Sequence, residues 1–153
     1  MVYRCNIKTP LGNMVAIASD EALTNLDFAD AIEFETANGI LQQVKLELDE
    51  YFLKKRKTFT VPLKPHGTSF EQEVWLTLLK IPYAKAISYK DEALMMGREK
   101  GFRAVANANG KNPISIIIPC HRVISSSGKL GGYSGGLEKK EFLLKLESIE
   151  YKL

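Results

Sequence analysis

Residues 88–110 read SYKDEALMMGREKGFRAVANANG, and their pattern predicts two short helices joined by a tight turn. Ser88 is suited to cap a first helix over about residues 88–96, which Gly97 then stops. The second helix is predicted over about residues 100–108, before an Asn-Gly pair that ends it. Two short helices in this arrangement have the outline of a helix-turn-helix, a motif that binds DNA.

The second of these helices is rich in alanine, and its main polar side chains are Arg103 and Asn107. A helix that reads a specific base sequence usually carries several base-contacting side chains. This helix is better suited to a close approach to a nucleic-acid backbone that tolerates any sequence.

The residues before the helix-turn-helix predict a strand-and-helix domain and a linker. Alternation of apolar and polar residues predicts strands over residues 3–8, 14–19 and 23–28. The apolar period then becomes helical, and a helix is predicted over residues 40–52. Residues 58–68 contain two prolines and a glycine, which is typical of a linker.

A domain boundary is therefore predicted in this linker. The first domain, over residues 1–64, is expected to be a structural support, and the second covers residues 65–153. Ser69 and Gln72 have the spacing of a capping box, so a helix is expected to begin at Ser69. A last helix is predicted over residues 137–148.

The composition is that of one or two small globular domains. The chain has 153 residues, of which 45% are hydrophobic and 25% charged, and this excludes a disordered or collagen-like protein. It has neither an apolar run of the roughly 18 residues that span a membrane nor a recognisable signal peptide, so we expect a cytoplasmic or nuclear protein, with the cytoplasm preferred, and no membrane partner. Residues 67–153 carry a net charge of +4 and residues 1–66 a net charge of −1. Ordinary surface solvation is the more frequent cause of such a bias, although an anionic partner also fits.

Cys120 has the setting of a reactive cysteine. It follows the apolar run of residues 114–118 and Pro119, and His121, a potential base, is adjacent. A cysteine after an apolar run is most often a core residue, and such a histidine is as often structural as catalytic. Glu147 lies on the border of the buried face of the last helix and could orient the histidine, although such an acid is more often on the surface. A nucleophile, a base and an orienting acid are the usual means of activating a weak nucleophile.

The backbone around these two residues affects how they could work together. If residues 120 and 121 are extended, their side chains point to opposite faces. We then expect no direct contact between the thiol and the imidazole, and a bridging water molecule as the proton relay.

The block of residues 114–136, with PCHRV at residues 119–123 and GGYSGG at residues 131–136, resembles the O6-alkylguanine-DNA alkyltransferase family, the methylated-DNA–protein-cysteine methyltransferases. The resemblance extends back through RAVANANGKNP, IPYAKAISY and FEQEVW, so that it covers roughly residues 69–148. These motifs at family spacing are together very specific. Residues 1–64 match the family only in size and in the rough order of strands and helix.

The resemblance implies an α+β fold. The N-terminal domain would be an α/β unit with a small antiparallel, ribonuclease-H-like sheet and a helix. The C-terminal domain would be mostly helical and winged-helix-like, and would bind DNA through the helix-turn-helix. The resemblance also implies a monomer that needs no cofactor.

The implied reaction is DNA repair by direct reversal. Cys120 matches the acceptor whose thiolate takes the alkyl group from O6 of guanine. His121 matches the base that acts through water, and Glu147 the acid that orients it. Tyr89 resembles the tyrosine that helps rotate the nucleotide and protonates the leaving guanine. Because a thioether is not a leaving group, each molecule would react once.

Other positions match residues that hold the DNA and the extruded base. Arg103 corresponds to the finger that replaces the flipped nucleotide in the base stack. The DNA-contacting candidates are Arg103, Ala104, Asn107, Arg122 and Tyr89, and the substrate-contacting candidates are Asn112, Val123, Tyr133 and Ser134. Asn112 also corresponds to the asparagine that ties the helix-turn-helix to the active-site segment. The implied partner is alkylated double-stranded DNA, bound in its minor groove with little sequence specificity.

The chain departs from the family pattern at three small residues. Ser115 stands where proline is usual, so the wall of the active site is expected to be looser or the substrate range different. Ala84 and Ala106 replace frequent glycines, and we expect mild effects. Some family members bind a metal near the N-terminus, but Cys5 and His66 are too few for a four-ligand zinc site, so we predict no metal.

Three other functions fit parts of the sequence. A non-catalytic sensor of alkyl lesions with the same fold is the main alternative, but such relatives lack the acceptor cysteine. A cysteine hydrolase normally brings its cysteine and histidine together from distant parts of the chain. A plain helix-turn-helix regulator would leave Cys120 and GGYSGG without a function.

Overall fold

The computed structural model describes residues 1–152, which divide into two compact units. The first unit consists of Met1–His66 and the short segment Pro113–Ser115, and the second of Gly67–Asn112 and the chain from Ile116 onward. The break between the units lies in the linker segment, two residues later than the sequence predicts. No helix of the described residues is long and apolar enough to cross a membrane.

The first unit is a three-stranded antiparallel sheet that packs against one helix. Strands β1 (Tyr3–Thr9), β2 (Gly12–Ala18) and β3 (Leu23–Phe28) pair in sequence order, and helix α1 spans Gly39–Phe52. Alternate residues of the strands are buried, which gives the sheet an apolar face. The buried apolar residues of α1, at helical spacing, are Leu41, Val44, Leu48 and Tyr51. The three predicted strands and the predicted helix are confirmed.

The segment Pro113–Ser115 is hydrogen-bonded to β3. The backbone N–H of Leu26 donates to the oxygen of Pro113 at 2.9 Å, and the N–H of Ser115 donates to the oxygen of Leu26 at 2.8 Å. Proline has no N–H to donate. The serine therefore ties the backbone to β3 at this position instead of loosening it.

The second unit is built on three helices, α2 (Ser69–Leu78), α3 (Tyr89–Met95) and α4 (Phe102–Gly110). Trp75 in α2 is buried, and its indole Nε1 donates to the backbone oxygen of Ala108 in α4 at 3.0 Å. This bond fixes α4 against α2, and α3 packs against both. Helices α3 and α4 form the predicted pair, although α4 begins and ends two residues later than expected.

Capping boxes begin two of these helices. Ser88 caps α3, as predicted. At α2 the box lies one residue earlier than predicted, because Thr68 and Glu71 form it rather than Ser69 and Gln72. Both pairs have the required spacing, but the charged carboxylate of Glu71 is the stronger acceptor at a helix N-terminus.

Two short strands and a last helix complete the second unit. Strand β4 (Ile87–Ser88) pairs in parallel with β5 (Val123–Ile124), and helix α5 spans Leu137–Leu146. Gly97 ends the first helix of the pair at a φ of +69°, a left-handed conformation that glycine adopts without strain.

Candidate active site

Cys120 opens a buried turn of 3-10 helix. Residues 114–118 are buried, as expected, and lead through Pro119 into the turn Cys120–Arg122. The N–H of Arg122 donates to the oxygen of Pro119 at 3.0 Å, which closes the turn. The extended backbone considered for residues 120 and 121 is therefore wrong, and the two side chains are not fixed on opposite faces. Cys120 is 7% exposed.

Asn112 binds the sulfur atom. Its amide Nδ2 donates to the oxygen of Ile118 at 2.8 Å and lies 3.3 Å from Sγ of Cys120. Burial raises the pKa of the Cys120 thiol, while the Asn112 amide and the charge of Lys140 act to lower it. The thiol is consequently protonated near neutral pH and needs a base to become the reactive thiolate.

His121 and Glu147 form a fully buried pair, with 2.6 Å between Nε2 and Oε2. Burial lowers the pKa of His121, so its ring is neutral near pH 7. A neutral ring has one N–H, and the carboxylate of Glu147 accepts it from Nε2. Nδ1 is therefore a proton acceptor, and it has no hydrogen-bond partner among residues 1–152.

The carboxylate of Glu147 is surrounded by donors. Arg122 donates to it from Nε at 2.8 Å and from Nη2 at 3.2 Å, and the N–H of Ala84 donates at 3.1 Å. Burial alone would raise the pKa of Glu147, but the bonds from His121 and Arg122 outweigh it and hold the pKa at about 2. Glu147 is therefore a buried, charged residue and not the surface acid that its position alone suggested.

Arg122 does not have the position expected of a DNA-contacting residue. It is 7% exposed, its Nη1 donates to the oxygen of Ile81 at 2.8 Å, and its guanidinium lies 5.7 Å from the centre of the Tyr83 ring. A guanidinium engaged in this way is not available to a phosphate. We therefore reassign Arg122 from DNA contact to ordering Glu147.

Lys140, a buried lysine that is not among the predicted site residues, lies in the same site. Lys140 on α5 is fully buried, and its Nζ donates to the oxygens of Val123 at 2.7 Å and Gly132 at 3.0 Å. Nζ also lies 5.7 Å from the centre of the Tyr89 ring. Burial lowers the pKa of Lys140 to about 8, so most molecules carry its charge at pH 7. This charge favours a thiolate at Cys120.

The spacing of Lys140 was a usable signal. The residues at i, i+3, i+4 and i+7 of this face are Lys140, Leu143, Leu144 and Glu147, and all are buried. The pattern that placed Glu147 beside the apolar face therefore also places Lys140 there.

Tyr89, the first residue of α3, contacts the glycine-rich loop. The N–H of Gly132 donates to its hydroxyl at 3.2 Å. Gly131 has a φ of +71°, and a Cβ atom there would lie 2.6 Å from the same hydroxyl, so no side chain fits. Burial raises the pKa of Tyr89, and its hydroxyl keeps its proton near neutral pH.

A cavity of about 280 Å³ opens beside the sulfur. This volume is near the lower limit of small-molecule sites. The residues that line it are the predicted Tyr89, Asn107, Cys120, Tyr133 and Ser134, together with Ala106, Asn109, Gly110 and Gly132, which were not predicted. Of the other two substrate-contacting candidates, Asn112 bonds to Ile118 and Cys120 in the active-site segment, and the backbone oxygen of Val123 accepts from Lys140.

The outer face of α4 carries the remaining DNA-contacting candidates. Arg103, Ala104 and Asn107 are exposed, whereas Val105 and Ala108 are buried. The helix therefore offers a surface with one long cationic side chain and small neighbours.

Comparison with known proteins places both units in one family. The family model of the 6-O-methylguanine DNA methyltransferase DNA-binding domain matches residues 69–149, and that of the ribonuclease-like domain matches residues 2–65. The chain belongs to the 6-O-methylguanine DNA methyltransferase family. The resemblance inferred from PCHRV and its neighbouring motifs is confirmed, and membership of the methyltransferase family extends to the N-terminal unit.

Similar methyltransferases match nearly the whole chain. The methylated-DNA–protein-cysteine methyltransferases of Methanosarcina barkeri and Bacillus subtilis are 42% and 40% identical to it. These matches cover 95% and 99% of this chain and 97% and 99% of the relatives. The crystal structure of Mycobacterium tuberculosis OGT in complex with DNA is 40% identical, with a TM-score of 0.87 over 94% of this chain and 91% of that one.

One departure from the methyltransferase pattern is strained. Ala84 replaces a frequent glycine, and its φ is +64°. A residue other than glycine costs about 1–2 kcal/mol in this left-handed conformation. The strain is maintained because the N–H of Ala84 donates to the buried carboxylate of Glu147.

We expect the substitution Ala84→Gly to raise the free energy of unfolding by roughly 0.5–1 kcal/mol, because the strain removed exceeds the flexibility that glycine adds to the unfolded chain. Ala106→Gly is the matched control. Ala106 lies within α4, where glycine should lower the free energy of unfolding by roughly 0.5–1 kcal/mol. Urea unfolding followed by circular dichroism measures both, and a change of the same sign in the two variants would contradict strain at Ala84.

Proposed function

We propose that this protein repairs DNA by direct reversal, with Cys120 accepting an alkyl group, such as methyl, from O6 of guanine. The observation that carries the proposal is the position of Cys120 in the wall of a cavity, next to a neutral His121 whose bond to Glu147 leaves Nδ1 as a proton acceptor. Whole-length relatives that are named methylated-DNA–protein-cysteine methyltransferases support the same reaction.

The thiol first loses its proton. Because burial raises the pKa of Cys120, a base is required, and we assign this role to Nδ1 of His121, acting through a water molecule. The amide of Asn112 and the charge of Lys140 then stabilise the thiolate. Glu147 keeps the imidazole in the tautomer that can accept the proton.

The thiolate attacks the alkyl carbon in a single displacement. A bond forms between sulfur and carbon as the bond between carbon and O6 breaks, and its electrons remain on guanine. Guanine takes up one proton from Tyr89, whose hydroxyl is protonated near neutral pH. The proton that His121 took from the thiol then passes through water to Tyr89, so that both side chains return to their starting protonation states. The thioether does not leave, so each protein molecule acts once and without a cofactor.

The DNA partner is engaged through α4, in the minor groove. Chemistry on a paired base requires that the base be extruded, and Arg103 fills the gap that it leaves. Ala104 and Asn107 are small enough to let the helix approach the backbone, and so few base-reading side chains give little sequence specificity. The extruded base is held in the cavity by Tyr133 and Ser134. The protein acts as a monomer, in the cytoplasm.

The reaction predicts a change of mass. Incubation with an oligonucleotide that carries O6-methylguanine should add one methyl group to the protein, and never more than one. Cys120→Ala should gain none, whereas Cys5→Ala, which removes the other buried cysteine, should gain as the wild type does. Intact-protein mass spectrometry measures both. Binding of the lesion without a gain of mass would favour the sensor, and release of a peptide product would favour the hydrolase.

The charge of Lys140 is expected to set the reactivity of the sulfur. Lys140→Met should move the pH at which Cys120 becomes reactive upward and slow methyl acceptance near pH 7 by about tenfold. Lys140→Arg keeps the positive charge, so its rate of methyl acceptance should fall less than that of Lys140→Met. The rate of Cys120 alkylation by iodoacetamide as a function of pH is the measurement. A common midpoint for the wild type and Lys140→Met would exclude this role.

In the proposed reaction, Arg103 is needed only when the damaged base must be extruded from the base stack of duplex DNA. Arg103→Ala should therefore slow repair of duplex DNA by about tenfold or more, and affect the reaction with free O6-methylguanine far less. Lys90→Ala removes another exposed cation of the helix-turn-helix and should change both rates little. Single-turnover rates on the two substrates test this, and an equal loss on both would exclude the finger role.

A further inference from the structure

A buried pair of side chains, outside the groups assigned to the reaction, joins α3 to α4. Glu92 in α3 is 0% exposed and Asn109 in α4 is 5% exposed. Nδ2 of Asn109 donates to Oε1 of Glu92 at 2.7 Å. The other oxygen of each side chain, Oε2 of Glu92 and Oδ1 of Asn109, has no hydrogen-bond partner in the described part of the chain.

No positive charge compensates a carboxylate at this position. The elements packed against α3 are α2, α4, β4 and β5, and α5 approaches it through Lys140, which lies against the Tyr89 ring and is bonded to the oxygens of Val123 and Gly132 rather than to Glu92. Of these, α2 carries Glu71 and Glu73, α4 carries the exposed Arg103, and the two strands carry no titratable side chain. Over residues 1–152, Asn109 is the sole hydrogen-bonding partner of the Glu92 carboxyl group. A buried, ionised carboxylate with one such bond is strongly disfavoured, and burial raises the pKa of Glu92 to about 7.

We propose that Glu92 stays an uncharged carboxylic acid up to neutral pH in the folded protein and acts as a positioning residue for the reaction of Cys120. Oε2 then carries the proton and donates it to Oδ1 of Asn109, so the two side chains form a cyclic pair of hydrogen bonds. Both unpartnered oxygens are satisfied in this way. The pair pins the helix that carries Tyr89 to the helix that carries Arg103.

The charge of Glu92 also affects the pKa of the Cys120 thiol. A negative charge on Glu92 raises the pKa of Cys120 and of Tyr89, the titratable groups on which it acts. An uncharged Glu92 removes this effect and favours the thiolate. Asn109 lines the same cavity as Cys120, so the pair also shapes the wall of the site. This consequence for alkyl transfer rests on the proposed function, whereas the protonation of Glu92 does not.

Infrared spectroscopy of protein labelled with 13C-glutamate tests the protonation state directly. At pH 6 the wild type should show the absorption of a protonated carboxylic acid that is absent in Glu92→Gln, and this band should weaken as the pH rises past 7. The buried Glu47 and Glu147 do not interfere, because their pKa values are lowered. A spectrum without this band overturns the proposal, whatever the activity of the protein.

The pH dependence of stability gives a second test, because glutamine can form the same two hydrogen bonds but cannot ionise. The folded protein holds the proton of Glu92 more tightly than the unfolded chain does. Relative to Glu92→Gln, the wild type should therefore be most stable below about pH 4.5 and lose this added stability progressively as the pH rises from there through about 7. Urea midpoints at pH 5 and pH 8 measure this, and a difference that does not change with pH contradicts the proposal. If Glu92→Gln does not fold, the apolar double variant Glu92→Leu, Asn109→Leu replaces it as the reference.

The effect on the sulfur is measured as the rate of Cys120 alkylation by iodoacetamide in a Cys5→Ala background. The ratio of Glu92→Gln to wild type should be close to one at pH 6 and reach about twofold or more at pH 8.5. Glu73→Gln removes an exposed acid of α2 and should leave the ratio near one. A constant ratio for Glu92→Gln would overturn the positioning role. If the wild type takes no methyl group from DNA while the ratio still rises, the proposed function fails and the inference about Glu92 stands.

Discussion

The buried carboxylate of Glu147 holds together the parts of the second unit on which the chemistry depends. Its donors come from separate places in the chain, His121 and Arg122 in the 3-10 turn and Ala84 in the segment after α2. Glu147 lies at the C-terminal end of α5, where the helix dipole opposes a negative charge. The hydrogen bonds from these donors must therefore offset two unfavourable effects on the negative charge of Glu147, its burial and the helix dipole. A donor that moved away would leave the charge short of a partner, so the carboxylate fixes the turn that presents Cys120.

Burial raises the pKa of the Cys120 thiol, so the surrounding groups decide whether it ionises near neutral pH. The thiolate is the form that reacts with oxidants and other electrophiles, so a buried thiol that stays protonated is preserved for its reaction. Three neighbours favour the thiolate by different means. Asn112 donates a hydrogen bond, Lys140 supplies a positive charge, and the neutral His121 provides a proton acceptor. Cys120 reacts only once in the life of the protein, so it is useful that the thiol stays protonated until it is activated for its reaction.

The features that could be predicted from the sequence are those that neighbouring residues determine. The alternation of the strands, the cap at Ser88 and the buried run of residues 114–118 depend on local pattern, and the structure confirms them. The partners of buried charges are not local, since Arg122 and Glu147 are 25 positions apart. The family resemblance assigned Arg122 to DNA contact, and the sequence alone carries no sign of its bond to Glu147. The burial of Lys140 is equally hard to predict, because a lysine within a helix is usually solvated. The 3-10 turn was missed for a related reason, because the bonds that fix its side chains come from distant segments.

Trp75 is the one tryptophan of the chain, and its indole N–H is bonded to the backbone of α4. It is buried on the inner side of the helix whose outer face carries Arg103. Tryptophan emission responds to the polarity and hydrogen bonding of the indole, and here all of it comes from one position. The protein therefore carries an intrinsic optical probe of α4, and a shift of this helix on DNA binding or after alkylation of Cys120 can be followed in real time without a label.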